Sequence, residues 1–199
     1  MRHATLASPV PRPIKAIIPS RALSELARVA SDGKEMVYMA IMPSRGQVIF
    51  HTKDVELASQ LIEGAYPDLE QVIPRSHRTR AVLSSTQFLK ACKQAEIFAR
   101  EGSHIARIHI TPGGSLEPGT VEISGQSEET GSNQTVLDAT IEGDELTIAF
   151  NVRFLREILD VIHTPNVVLE TNVETTPGVL RPVGEDNFLH VIMPMHLGS

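Results

Sequence analysis

The chain has 199 residues, with 18 Lys+Arg against 24 Asp+Glu and a formal net charge of −6. That length supports one medium domain or two small ones, and the charge excludes a strongly basic nucleic-acid-binding tail but not a local basic face. Hydrophobic residues make up 41% and aromatics only 4%, with no Trp, so the core must be aliphatic; the single cysteine, Cys92, excludes an intramolecular disulfide and a cysteine-rich zinc site.

The N-terminal Met1-Arg2-His3-Ala4-Thr5 lacks the apolar run of a signal peptide, and no window approaches 18 unbroken apolar residues. The cytoplasm is the expected compartment, with no membrane partner. Residues 8–13 carry three prolines in six positions, which reads as a linker or edge segment.

Beyond it one design recurs three times. Ile17-Ile18-Pro19 leads into a helix with the apolar stripe Leu23, Leu26, Ala27 and Ala30. Strand patterns follow at 36–41, 47–51 and 55–61, the last with Val55, Leu57 and Leu61 on one face. Val82-Leu83-Ser84-Ser85 leads into a second helix, striped by Phe88, Cys92, Ala95 and Ala99. Strands are expected at 105–110, 121–124 and 136–141, and the polar run 125–135 reads as a mobile hairpin end. Ile148-Ala149-Phe150-Asn151 leads into a third helix, striped by Leu155, Ile158, Leu159 and Ile162, with strands expected at 167–170, 179–181 and 189–193. Pro19, Ser85 and Asn151 fall 66 residues apart both times, which predicts an internal β-α-β-β-β repeat. Ser85 and Asn151 are the expected helix N-caps.

Catalytic chemistry is hard to find. The eight histidines are scattered, with no HExxH spacing, and no metal or other cofactor is expected. Cys92 lies on an apolar stripe and reads as a packed thiol. Gly113-Gly114 lacks the Gly-Lys-Ser/Thr of a phosphate loop, and no carboxylate pair stands out as an acid/base couple. The chain reads as a binding protein, not an enzyme. Opposite the apolar stripes lie Arg21 and Arg28, Lys90 and Lys93, and Arg153 and Arg156. Composition by itself reads them as a solvated face, since Glu25, Glu96, Glu157 and Asp160 are interspersed. The sharper reading pools all three helices on one side of a sheet, facing phosphates.

Four motifs then converge. Leu61-Ile62-Glu63-Gly64-Ala65-Tyr66-Pro67-Asp68, Gln71-Val72-Ile73-Pro74, Phe150-Asn151-Val152 and the tail Val191-Ile192-Met193-Pro194-Met195-His196-Leu197 together resemble the C-terminal half of the bacterial DNA polymerase III β subunit, the sliding clamp. The resemblance implies an α+β DNA-clamp fold of repeated β-α-β-β-β units, with helices on one face of antiparallel sheets. Residues 1–15 would be a leader with a remnant strand, 16–74 half of the middle clamp domain, and 75–197 the last domain. The implied function is that of a DNA polymerase processivity factor, a non-catalytic accessory subunit that encircles duplex DNA without regard to sequence. Arg21, Arg28, Lys90, Lys93, Arg153 and Arg156 would then face DNA. A peptide-binding groove is implied at Pro67, Val72, Asn151, Phe154, Thr176, Gly178, Val191, Met193, Pro194, Met195 and Leu197, serving the polymerase III catalytic subunit, the clamp loader and other clamp-motif proteins. Gln71 and His196 depart from the family, which often has Arg at both positions. The full-length family forms a ring-shaped homodimer; this shorter chain is expected to be a monomer or an open dimer. The alternative is a truncated clamp-like paralogue that holds clamp-interacting peptides without encircling DNA.

Overall fold

The computed structural model describes residues 1–6, 10, 13–30, 36–66, 68–100, 104–114, 117–127, 129 and 131–196. They form two compact units, Leu6–Asp68 and a larger one joining Met1–Thr5 to the chain from Leu69 onward. The sequence reading divides the chain at 74/75, whereas the units divide at 68/69. Parts of the proline-rich run 8–13, together with Pro67 and Leu197, lie outside the described residues.

The smaller unit holds α1 (Ser20–Val29) and an antiparallel sheet of β1 (Tyr38–Met42), β2 (Gln47–His51) and β3 (Glu56–Gln60), in that order. Gly46, at φ +59°, ends the 3₁₀ turn between β1 and β2 in the left-handed region that glycine adopts without penalty. Val48 and Phe50 of β2 are buried, as is Ala22 of α1. The α1 stripe differs from expectation. Leu23 and Ala27 are exposed and Leu26 is half-buried, because this unit offers the helix only one small sheet to pack on. Ile17-Ile18 forms no strand; Ile62 N donates to Ile17 O at 2.9 Å, a single ladder-like bond.

The larger unit repeats the pattern twice. One half contains β4 (Thr79–Ser84), α2 (Ser85–Ala99), β5 (Ile105–Thr111), β6 (Gly119–Ser127) and β7 (Gly131–Gly143). The other contains β8 (Leu146–Asn151), α3 (Val152–Leu159), β9 (Asn166–Thr171), β10 (Gly178–Pro182) and β11 (His190–Ile192). All pairs are antiparallel and the order is β11-β10-β9-β4-β7-β6-β5-β8. The halves exchange partners: β4 pairs with β9, and β5 with β8. β7 pairs with β6 through Ala139 and with β4 from Thr140, so it crosses from one half of the sheet to the other. Pro194, just past β11, bridges Phe150 of β8, so the two ends of the strand order are tied together. Arg2 forms a single antiparallel bridge to Phe188, with His3 N donating to Asn187 O at 2.7 Å and Leu189 N to Met1 O at 2.9 Å.

Helices α2 and α3 touch each other, α2 lying over β5, β6 and β7, and α3 against β8 and β11. Their buried apolar residues are Phe88, Ala91, Cys92, Ala95 and Ala99 on α2, and Val152, Leu155 and Leu159 on α3. The small α2 stripe permits close approach: a Cβ on Gly125 of β6 would stand 2.4 Å from the Ala95 carbonyl oxygen. Burial, assisted by Glu96, pushes the Cys92 thiol far above its ordinary range, consistent with a packing role.

Two local expectations are corrected. The cap of α2 is Ser84, whose Oγ accepts from Gln87 N at 3.5 Å, while Ser85 begins the helix and its buried Oγ has no partner. Asn151 caps α3, accepting from Arg153 N at 3.1 Å. Of the run 125–135, expected as a mobile hairpin end, Gly125 through Ser127 pair with Asn133 through Gly131, so the ladder reaches almost to the tip, where Glu128 and Thr130 lie outside the described residues. Its polar side chains sit on extended ladder strands, where the backbone satisfies itself and polarity of the side chains decides little.

Candidate functional sites

An apolar groove of about 450 Å³ opens between the start of α3 and the chain leaving β11. Asn151 and Phe154 line it from the α3 side, and Val191, Met193 and Met195 from the other. The walls are positioned by backbone contacts. Asn151 is fixed by its capping role, and Met195 N donates to Ala149 O at 2.8 Å, holding the tail along β8. Phe154 and Met193 are 52% and 59% exposed, so two large apolar side chains face solvent at the groove.

The other groove candidates are placed differently. Val72 lines a smaller adjoining hollow of about 140 Å³ with Leu69, Ile73, Leu189 and Met1; the two hollows share His190 and Val191. Pro194 is half-buried in its bridge to Phe150 and lines neither. Gly178 opens β10 against Phe150, whose Cζ would be 2.7 Å from an added Cβ. Thr176 folds back on its own turn, donating to Val173 O at 3.0 Å and accepting from Val173 N at 3.2 Å. Neither Gly178 nor Thr176 lines the groove. Sequence reasoning missed Glu157, Ile158, His190 and Ile192, which complete the larger hollow. Ile158 carried a signal as a stripe residue; His190 carried none. Burial, with the Met1 amine adding to it, lowers the His190 pKa, which favours the neutral ring.

The second site is the outer face of α2 and α3. Lys90, Lys93 and Arg153 are exposed there and Arg156 is half-buried. Most carry their own counter-charge. Arg153 Nε lies 2.9 Å from Glu157, Lys93 Nζ 3.1 Å from Asp160, and Arg156 is held by Glu96 at 2.8 Å and Asp160 at 3.0 Å. The hydrogen bond from Lys93, aided by Arg156, holds the Asp160 carboxyl below its ordinary value despite partial desolvation. Arg156 is held above its usual range because Glu96 and Asp160 outweigh the opposing effect of burial. In the smaller unit Arg28 pairs with Glu25 at 2.9 Å. Among the described residues, Arg21 and Lys90 alone of the six candidate cations have no ion pair. No three His, Cys, Asp or Glu side chains among the described residues converge on a metal position. No helix among them is long and apolar enough to cross a membrane.

Two interlocked β-α-β-β-β halves, adjacent helices with a cationic outer face and an apolar groove beside the last strand define a domain of the DNA-clamp class. The chain belongs to the DNA polymerase III beta subunit family: the C-terminal domain of that subunit matches residues 70–196 and the central domain residues 1–68. The beta sliding clamp of Bacillus subtilis is 29% identical over 197 residues, covering 98% of this chain and 50% of that protein. That of Staphylococcus aureus is 32% identical over 180 residues, covering 90% and 46%. The crystal structure of the Bacillus subtilis clamp superposes with a TM-score of 0.87 at 29% identity, over 99% of this chain and 50% of that one. A Pseudomonas aeruginosa clamp gives 0.80 at 25% identity, over 92% and 48%. The chain thus spans about half the length of the relatives it matches.

Proposed function

We propose that this chain acts as a sliding-clamp component in DNA replication, presenting a peptide groove to polymerase, clamp-loader and other partner proteins and a weakly cationic helical face to duplex DNA. The observation that carries the reading is the groove. In a member of this family, about 450 Å³ of apolar hollow is left open between Phe154 and Met193. Such a hollow suits the Leu and Phe side chains of a short extended peptide, and methionines can repack around differing sequences. The adjoining hollow at Val72 offers a second, smaller subsite. Pro67 and Leu197 belong to the proposal through the resemblance alone.

DNA contact in this reading is sequence-blind. Single cations on α1, α2 and α3 meet phosphates, and neither Trp nor a dense aromatic platform is present to stack bases. The assembly proposed for the chain by itself is a monomer or an open dimer. Retention on nicked circular DNA in high salt, lost only on linearisation, would instead demonstrate a closed ring.

The test of the groove is a fluorescent peptide carrying a Leu-Phe clamp-binding motif, titrated by anisotropy. Met193→Ala is expected to weaken binding about five- to tenfold and Val72→Ala less, in proportion to apolar area lost at about 25 cal/mol per Å². Unchanged affinity in both variants would place the peptide elsewhere.

A further inference from the structure

We propose that Glu96, Glu157 and Asp160 are built-in competitors of DNA phosphate: they occupy the cations of the α2–α3 face and so set how weakly this face holds a duplex. The inference rests on reading α2 and α3 as the DNA-facing surface.

Four cations on this face, Lys90, Lys93, Arg153 and Arg156, stand among three carboxylates, Glu96 on α2, Glu157 on α3 and Asp160 at the α3 C-cap. The pairing is specific in geometry. Arg156 directs Nε at Glu96 and Nη1 at Asp160, and its Nη2 lies 3.8 Å from Glu157. The fork that would grip a phosphate by two parallel bonds is therefore already filled. Arg153 gives its Nε to Glu157, and Lys93 gives its ammonium to Asp160. Only Lys90 of the four meets a phosphate without displacing a carboxylate. The same device recurs on α1, where Glu25 holds Arg28 and Arg21 is left unpaired.

Stability does not account for Glu157 and Asp160: their side chains are 47% and 37% exposed, and ion pairs so open to water contribute little to folding. Glu96, 21% exposed against Arg156, also braces the two helices. The electrostatic effect of these acids on an incoming polyanion is larger. Each carboxylate both neutralises a cation and repels the phosphate row at short range. A phosphate that displaces a carboxylate exchanges one anion for another, so the face binds shallowly and releases readily. That is a property a surface needs if DNA is to move along it.

The experiment uses the whole chain and 30-base-pair duplexes of two unrelated sequences, titrated by anisotropy across 50–200 mM NaCl. Glu157→Gln and Asp160→Asn are each expected to raise affinity about three- to tenfold at 50 mM salt. The pair, with or without Glu96→Gln, should raise it further and steepen the log–log salt slope by up to about 0.9 for each additional phosphate engaged. Lys90→Ala and Arg153→Ala serve as controls and should lower affinity in the wild-type background. If the cation variants weaken binding but the amide variants do not strengthen it, the competitor proposal fails while the DNA-facing assignment stands. If the cation variants change nothing, that assignment fails and the proposal with it. If the amide variants lower both affinity and thermal stability, the carboxylates are struts and the proposal is likewise overturned. Glu157→Gln changes an exposed carboxylate at the groove rim without touching the core, so the DNA test survives even if the Glu96 variant does not fold.

Discussion

The unit of α1 and β1–β3 and the unit of α2, α3 and β4–β11 start from the same local pattern and reach different degrees of burial. In the larger unit each half supplies what the other lacks: β4 is flanked by β9 and β7, and β5 by β8 and β6. Its core runs from Ala81 and Leu83 through Phe88, Ile108 and Ile123 to Phe150, Leu155 and Ile192. Among its described residues the smaller unit carries one such pattern, α1 with β1–β3. The buried side chains among them are Ala22, Val48, Phe50 and Thr52, while Tyr38 and Met39 on β1 stand open. The repeat is thus a unit of sequence but not of stability. One helix over three strands gives the chain a shape, and a second copy of the pattern gives it an enclosed core.

The largest expected effect tests that contrast directly. Leu155→Ala removes a fully buried side chain from the interlocked core and should cost the larger unit about 2–5 kcal/mol. Phe50→Ala, although the larger truncation, should cost less than the usual figure of about 3–5 kcal/mol, since few buried neighbours surround it. Denaturant unfolding followed by hydrogen exchange would separate the two, with β1 amides exchanging at lower denaturant than β4 or β5 amides. Equal sensitivity of both units to these substitutions would break the comparison.

The same contrast explains what the sequence disclosed. The α2 stripe of Phe88, Cys92, Ala95 and Ala99 could be read directly because a complete sheet lies under that helix, so 3.6-residue periodicity and burial coincide. The α1 stripe failed at Leu23 and Ala27 because periodicity records the face a helix offers, not whether anything covers it. Asn151, Phe154, Val191, Met193 and Met195 could be gathered into one site through the family motifs. Glu157 and His190 could not, since nothing in local pattern shows that β11 runs beside α3. The ladder at 125–135 was hidden because strand pairing is a long-range property, and the polar side chains of Ser132 to Thr135 mimic a loop.

A smaller effect distinguishes two adjacent serines. Ser84→Ala should destabilise the larger unit by about 1 kcal/mol or somewhat less, given the long 3.5 Å contact with Gln87 N. Ser85→Ala should be neutral or stabilising, because it removes a buried hydroxyl that has no partner. Thermal melts of the two variants check this. The reverse order would move the helix start one residue forward, to Thr86, and restore the equal 66-residue spacing of the caps.

The smallest expected effect concerns the helix without a side-chain cap. Pro19 precedes α1 at φ −56° and ψ 134°, and its carbonyl already accepts from Ala22 N at 3.0 Å. What it lacks is the side-chain oxygen that Asn151 offers to Arg153 N at the start of α3. In Pro19→Ser the new hydroxyl would find the Arg21 amide in the equivalent place, a gain of up to about 1 kcal/mol. Loss of the proline also frees the unfolded chain, which costs about 0.4–1 kcal/mol in the opposite direction. Net stability should therefore change by no more than about 0.5 kcal/mol, the residue of those two opposing estimates. The informative readout is local: slowed exchange of the Arg21 amide at nearly constant global stability. If that amide stays unprotected, α1 does not begin as α3 does, and the correspondence among the three repeats ends at the strand–helix junction.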